Sequence, residues 1–279
     1  MSAYQACPTA RLEKLLLPTD GSKFSEGSIR EAISLAKNCS SKIFVLSVVE
    51  MNPEFEALAP EIIEKMEKET RQHLESVKSR ALKEGVDCEI IVHEGEEPYQ
   101  YIVAEAAKRK VEMIIMGRRG RTGLKRLMMG SVTARVIGHS PCKVLVIPET
   151  AKVSYRNILI ATDGSKYSDA AALEAISIAK RCGSDLIALS VATKDKDLLS
   201  AKKSVEKISQ IAEKEGLKSK TMTPRGTPYN VIVETAEKKN ADVIVVGSHG
   251  RTGLERLLMG SVTERVIGQA NCAVLVVKK

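Results

Sequence analysis

The sequence has no tryptophan, few other aromatic residues and no long apolar run. Aromatic side chains make up 3% of its 279 residues, so the stacking platforms on which single-strand nucleic-acid binders rely are scarce. Apolar runs such as those around residues 90–92 and 243–246 fall far short of the roughly 20 residues that a membrane helix needs. These absences disfavour nucleic acid as a partner, and they predict that no segment spans a membrane.

Secretion signals, paired cysteines and clustered charge are also missing. Residues 1–8 show neither the charged start nor the apolar stretch of a secretory signal, which favours a cytoplasmic location. The six cysteines have no CxxC spacing, so neither a zinc site nor a thioredoxin-type pair is predicted, and we expect buried, reduced thiols. The formal net charge is +8, but the cations are interspersed with acidic residues, which again argues against a polyanionic partner.

An internal repeat organises the chain. The residues LLLPTDGSK at 15–23 recur 143 positions later as ILIATDGSK at 158–166. The glycines and the GSVT of residues 117–133 recur 130 positions later at 247–263. The second copy is therefore shorter by 13 residues. Such a repeat predicts two tandem domains, residues 1–150 and 151–279, that meet at a short polar linker after Pro148.

Each copy alternates short β-branched runs with longer segments of helical spacing, a pattern typical of βαβ units and a parallel sheet. In the first copy we predict strands near 13–18, 42–48, 87–92, 111–116 and 143–147, and helices near 23–39, 60–84, 98–109 and 130–139. One stripe of the second helix is predicted to face the core, with His73 as a packing residue and not a ligand. The stripe consists of Ile62, Met66, Thr70, His73, Val77 and Ala81.

A glycine-rich segment follows the fourth predicted strand. Gly117 and Gly120 precede, by nine residues, the pair Gly130 and Ser131 that opens a helix. Glycines let the backbone approach a ligand, and the first N–H groups of a helix lie at the positive end of its dipole, so we predict a phosphate site. The alternative is that the glycines only form turns and that Ser131 is an ordinary N-cap.

The two copies differ in charge and length around this segment. The first carries Arg118, Arg119 and Arg121 where the second carries Ser248, His249 and Arg251. We therefore predict that Arg118 and its neighbours reach bound phosphate, and that the first site holds a highly charged nucleotide better. The extra residues 51–60 of the first copy are a candidate lid, with a surface loop of no special role as the alternative.

Asp20 and Asp163 follow the first strand of their copies, just where the chain turns into a helix. Ligands of open α/β sheets bind in the crevice beyond the carboxyl ends of the strands. An aspartate there can accept hydrogen bonds from ribose hydroxyls while the glycine segment holds phosphates. Alternatively, the carboxylate only shapes its own turn or caps its helix.

With these residues the sequence resembles the universal stress proteins of the ATP-binding type. The pattern G-x2-G-x9-G-[S/T] is complete in both copies, and the resemblance covers both predicted domains nearly end to end. It implies an α/β fold of two tandem Rossmann-like (adenine nucleotide alpha hydrolase-like) domains, each a five-stranded parallel sheet flanked by helices, and ATP or AMP as ligand. It also implies that the fifth strands, residues 144–147 and 273–277, pair within one chain as an intramolecular pseudo-dimer, or that two chains form a homodimer.

The same resemblance implies which residues bind the nucleotide. Asp20 and Asp163 would bind the ribose, and the backbone of Val48 and Val191 would contact the adenine. The remaining residues of the first site are Pro18, Thr19, Met116, Gly117, Gly120, Gly130, Ser131 and Val132. Those of the second site are Ala161, Thr162, Val246, Gly247, Gly250, Gly260, Ser261 and Val262.

Motifs of efficient phosphoryl-transfer and acyl-transfer enzymes are absent from the sequence. There is no GxxxxGK[ST] loop, HRD-like segment or GxSxG elbow, and no evident metal-holding carboxylate with a partner that positions an attacking atom. We therefore predict no catalytic residues and favour a nucleotide-dependent sensor or regulatory protein in the stress response, with an unknown protein partner. The alternative is a slow ATP hydrolase or nucleotidyl-transfer enzyme, in which Asp20 or Asp163 helps to hold Mg²⁺ or Mn²⁺ between phosphates.

Overall fold

A computed structural model of the chain describes residues 7–9, 12–51, 60–120, 129–250 and 259–278. Over these residues ten strands alternate with eight α-helices, as the sequence predicts for an α/β protein. The first half contains β1 (Lys14–Pro18), α1 (Glu26–Cys39), β2 (Lys42–Glu50), α2 (Pro60–Lys83), β3 (Cys88–Gly95), α3 (Pro98–Arg109), β4 (Met113–Gly117), α4 (Ser131–His139) and β5 (Lys143–Ile147). The second contains β6 (Asn157–Ala161), α5 (Lys166–Cys182), β7 (Asp185–Leu189), α6 (Leu198–Lys214), β8 (Ser219–Met222), α7 (Pro228–Lys238), β9 (Val243–Gly247), α8 (Ser261–Gln269) and β10 (Ala273–Val277).

All ten of these described strands join in one sheet, in the order β3-β2-β1-β4-β5-β10-β9-β6-β7-β8. Neighbouring strands are parallel within each half. The halves meet at an antiparallel pair, in which Leu145 of β5 lies opposite Leu275 of β10. The prediction that the fifth strands pair within one chain is confirmed.

Apolar side chains cover both faces of the sheet, because successive residues of a strand point to opposite sides. Leu15 and Leu17 of β1 belong to one buried cluster, and Leu16 belongs to the other. The first cluster includes buried residues of α1, α2, α5 and α6, and the second includes residues of α3, α4, α7 and α8. Both clusters continue across the junction of β5 and β10, so the two halves share their cores.

The core-facing stripe of α2 differs by one position from the prediction at its start. Ile62 is 50% exposed, whereas Ile63 is buried. The helix then buries Thr70, Leu74, Val77 and Ala81. The prediction for Ile62 is wrong because Ile62 and Ile63 both keep a helical spacing to Thr70, and packing against the sheet buries Ile63.

One pair of cysteines also departs from expectation. Cys7 and Cys39 form a disulfide, with Cα atoms 4.7 Å apart, that ties the segment before β1 to the last residue of α1. The expectation of reduced thiols throughout is wrong for this pair, because the fold brings together residues 32 positions apart that carry no motif spacing. The segment also touches the second half, since Arg181 Nε donates to the Cys7 carbonyl at 2.9 Å.

No described helix combines the length and the apolar character required to cross a bilayer.

Candidate functional site

The predicted site residues follow two neighbouring strands at the centre of each half-sheet. From β1 the chain proceeds outward to β2 and β3, and it then returns to β4 on the other side of β1. β1 and β4 therefore bound a topological switch point, where the connections leave in opposite directions and open a crevice at the carboxyl ends of the strands. β6 and β9 repeat the arrangement in the second half.

Asp20 lies directly against the glycine segment. A Cβ added at Gly120 would lie 2.7 Å from Asp20 Oδ2, closer than a Cβ approaches a neighbouring oxygen. In the second half, a Cβ at Gly250 would lie 2.9 Å from Asp163 Oδ2. A side chain at either position would force the carboxylate to move, and the fold brings the two predicted partners together in each crevice.

The other carboxylate oxygen of each aspartate shapes the local turn. Asp20 Oδ1 accepts hydrogen bonds from the backbone N–H of Ser22 at 3.0 Å and from Ser25 Oγ at 3.1 Å. Asp163 Oδ1 accepts from the backbone N–H of Ser165 at 3.0 Å. The turn-shaping alternative thus holds for Oδ1, while Oδ2 lies on the side of the glycine segment.

Gly117, the first glycine of the segment, also has no room for a side chain. Its added Cβ would lie 2.9 Å from the Phe24 carbonyl oxygen. Thr133 Oγ1 donates to the Gly117 carbonyl at 3.0 Å, and Gly130 N–H donates to the Arg118 carbonyl at 2.9 Å. Thr263, Gly247, Gly260 and Ser248 repeat both bonds with the same lengths. These bonds fix the start of the segment to the helix that follows it.

The two threonines were assigned no role from the sequence. Their repetition in GSVT, at positions 133 and 263, was the available signal.

The helices after the glycine segments begin at glycine N-caps. Gly130 and Gly260 are the N-caps, in extended backbone, and no described side chain caps α4 or α8. Ser131 and Ser261 are the first helical residues, so the alternative that Ser131 is the N-cap is wrong. The first N–H groups of a helix have no intrahelical partner and lie at the positive end of its dipole, which suits an anion.

The predicted adenine residues lie at the ends of the next strands. β2 continues to Glu50, so Val48 precedes the strand end by two residues and does not close the strand as expected. Val191 stands two residues beyond β7. Both valines are half-buried, whereas Met116 and Val246 are buried at the ends of β4 and β9.

The remaining predicted residues divide by exposure. Pro18, Thr19, Ala161 and Thr162 are buried, Val132 is half-buried, and Val262 is 37% exposed at the start of α8.

The side chain of Arg118 leaves the glycine segment. Its Nη1 donates to the Ala270 carbonyl of the second half at 2.8 Å. Burial, and secondly the neighbouring Arg119, lowers the pKa of the Arg118 guanidinium. This hydrogen bond places the Arg118 guanidinium at the junction between the halves. The contact of Arg118 with phosphate stays a prediction. Arg121, Arg251 and residues 52–59 of the candidate lid lie outside the described residues.

His73 makes a polar contact that its prediction as a packing residue did not include. It is half-buried on α2, and its Nε2 lies 3.0 Å from Thr19 Oγ1. Helical periodicity missed this contact because the two residues are 54 positions apart in sequence. In the second half Thr162 Oγ1 lies 3.0 Å from Ser168 Oγ, and α6 contains no histidine.

Within the described ranges no group of three or more His, Cys, Asp or Glu residues could hold a metal ion.

A carboxylate, a tight glycine turn and a helix N-terminus that no described side chain caps meet at the switch point of each half-sheet. These features define an α/β protein with two related crevices of a geometry that suits an anion. The model of the universal stress protein family matches residues 11–148 and again residues 154–278. The chain belongs to the universal stress protein family, as two tandem copies.

Relatives and solved structures agree with this assignment. A universal stress protein of Methanocaldococcus jannaschii is 45% identical over 141 residues, which cover 45% of this chain and 83% of that protein. One of Mycolicibacterium smegmatis is 30% identical over 188 residues, but the match spans only 63% of its length and 62% of this chain. The crystal structure of a universal stress protein from Archaeoglobus fulgidus superposes with a TM-score of 0.78 at 25% identity, covering 95% of this chain and 98% of the other.

Proposed function

We propose that each half binds one adenine nucleotide, ATP or AMP, and that the protein acts as a nucleotide-dependent sensor or regulator in the stress response. The contact of Asp20 Oδ2 with the Gly120 position, repeated by Asp163 and Gly250, is the observation that carries this proposal. A cytoplasmic location, an unknown protein partner and assembly into homodimers belong to the same proposal.

The arrangement supports one pose in each crevice. The ribose hydroxyls donate to Asp20 on the side of Oδ2, and the phosphates bind the backbone N–H groups of Ser131 and Val132 at the start of α4, next to Gly130, whose own N–H is bonded to the Arg118 carbonyl. The adenine then lies beside the backbone of Val48. In the second half the corresponding residues are Asp163, Gly260, Ser261, Val262 and Val191. Backbone N–H donors and a helix dipole suit phosphate without requiring a cationic side chain.

Mg²⁺ or Mn²⁺ fits this pose only as a companion of the nucleotide. Mg²⁺ sites in proteins commonly combine one or two carboxylates with substrate phosphates and water. The single aspartate of each crevice can supply one such ligand, and the phosphates would supply the others.

A turnover assay tests binding against the alternative function. ATP with Mg²⁺ or Mn²⁺ is incubated with the wild-type chain and with the double variant Asp20→Ala/Asp163→Ala, and release of phosphate or pyrophosphate is measured. If the protein is a regulator, only the wild type binds ATP, and its turnover does not exceed that of the double variant. Turnover that exceeds background and disappears in the double variant supports the slow ATPase or nucleotidyl-transfer alternative.

A further inference from the structure

A chain of hydrogen bonds leads from α2 to the aspartate of the first crevice. His73 Nε2 lies 3.0 Å from Thr19 Oγ1, and Thr19 Oγ1 donates to Ser25 Oγ at 3.1 Å. Ser25 Oγ in turn lies 3.1 Å from Asp20 Oδ1 and 2.8 Å from the Ser22 carbonyl, to which it can also donate. The chain joins a helix that carries none of the predicted site residues to the proposed ribose ligand.

The number of hydroxyl hydrogens indicates which atom donates in each of these hydrogen bonds. A threonine hydroxyl has one hydrogen and two acceptor lone pairs. Thr19 uses its hydrogen toward Ser25, and its oxygen already accepts from the Gly21 N–H at 3.3 Å. With that hydrogen given to Ser25, the second lone pair of Thr19 faces His73, and the arrangement fits the tautomer in which Nε2 carries a hydrogen and donates it to Thr19. The imidazole therefore holds the Thr19 hydroxyl in the orientation that serves Ser25 and Asp20.

The second half builds its crevice without this anchor. Thr162 and Ser168 occupy the positions of Thr19 and Ser25, with their hydroxyl oxygens 3.0 Å apart. The Ser168 hydroxyl donates to the Ser165 carbonyl at 2.9 Å. No histidine occurs in α6, the counterpart of α2. The histidine anchor is thus a property of the first crevice.

We propose that His73 is a positioning residue of the first nucleotide site, which fixes the Asp20 carboxylate for ribose through Thr19 and Ser25. The inference rests on the proposed function. Oδ1 accepts from the Ser22 N–H and from the Ser25 hydroxyl, whose single hydrogen is shared with the Ser22 carbonyl. These contacts restrain rotation of the carboxylate and keep Oδ2 beside Gly120.

The test compares two ligands in full-length variants. Gly250→Val disables the second site in every protein, and calorimetry measures the Kd of ATP and of 2′,3′-dideoxy-ATP, which lacks the ribose hydroxyls. His73→Leu removes the donor and keeps an apolar side chain of similar bulk, whereas His73→Gln retains an N–H donor. His73→Leu is expected to weaken ATP binding about three- to tenfold, the usual effect of one lost hydrogen bond. It should leave dideoxy-ATP unchanged, and His73→Gln should restore ATP binding.

A second variant keeps the test decisive if His73→Leu fails to fold. Ser25→Ala breaks the same chain at another link and is expected to lower the preference for ATP over dideoxy-ATP to a similar extent. Equal ATP affinity in wild type, His73→Leu and Ser25→Ala overturns the proposal, as does an equal loss for both ligands, which indicates general damage to the site. Absence of any nucleotide binding by the wild-type chain contradicts the proposed function itself.

Discussion

Arg118 of the first half donates from Nη1 to the carbonyl of Ala270 in the second half, across 2.8 Å. Ala270 is the C-cap of α8, so the guanidinium lies at the negative end of that helix dipole. Lys278 of the second half makes the reciprocal contact, because its Nζ donates to the Ile137 and Gly138 carbonyls at 2.8 Å near the end of α4. Each helix that begins at a crevice thus ends on a cation from the other half, and burial lowers the pKa of both cations.

Removal of either cation should loosen the junction. Arg118→Met and Lys278→Met each leave helix carbonyls without a charged donor, and we expect each to lower the free energy of unfolding by about 1–3 kcal/mol. Urea denaturation followed by circular dichroism measures the change. Lys220→Met, on the exposed outer strand β8, is the control and should change stability by less than about 0.5 kcal/mol. Equal stability of all four proteins would show that these bonds contribute nothing.

Side chains at the second glycine of each segment should act on one crevice only. Gly120→Ala forces a Cβ against Asp20 Oδ2, and we expect nucleotide affinity at the first site to fall at least about tenfold while the second site is unaffected. Gly250→Ala should have the reciprocal effect through Asp163. Titration of both variants with ATP separates the sites. Unchanged binding at both sites in both variants is the result that would contradict this geometry.

Alkaline pH should destabilise the protein through Cys88. This thiol is 5% exposed, and burial is the main cause that raises its pKa from 9.0 to about 11. A raised pKa in the folded state means that stability is complete below pH 9 and is lost as the pH rises from 9 to 11, because only the unfolded chain releases the proton readily. The loss should reach about 3 kcal/mol.

Urea midpoints measured from pH 8 to pH 11 detect the loss. Cys88→Ala should show a shallower decline over that interval than the wild type. Parallel curves for the two proteins would rule out a role for this thiol.

The disulfide between Cys7 and Cys39 should stabilise the oxidised chain. It closes a loop of 32 residues, and loops of that size restrict the unfolded chain enough for about 2–4 kcal/mol of stability. Calorimetry of the wild type with and without a dithiol reductant measures the effect. Cys7→Ser should match the reduced wild type, whereas Cys182→Ser, at the position of Cys39 in the second copy, should keep the response to reductant. An identical unfolding temperature under both conditions would contradict this prediction.

Much of the fold was predictable because its signals are local. Strand and helix bounds of the first copy agree with the periodic pattern to within a few residues, and the repeat located the second set of glycines. Contacts between distant residues were not predictable. His73 with Thr19, and Arg118 with Ala270, are separated by 54 and 152 positions, and no periodicity or motif spacing records such contacts. The shift from Ile62 to Ile63 was missed because both residues are isoleucine, and only packing selects between them.

The number of adenine nucleotides bound per chain tests the account most directly. Nucleotide-free protein is titrated with ATP and with AMP in a calorimeter, and the stoichiometry of the wild type is compared with that of Gly120→Val, Gly250→Val and the double variant. We predict two equivalents for the wild type with the nucleotide that it prefers, one for each single variant and none for the double variant. A wild-type chain that binds neither ATP nor AMP, or a double variant that still binds two, would contradict the assignment of the paired crevices as nucleotide sites.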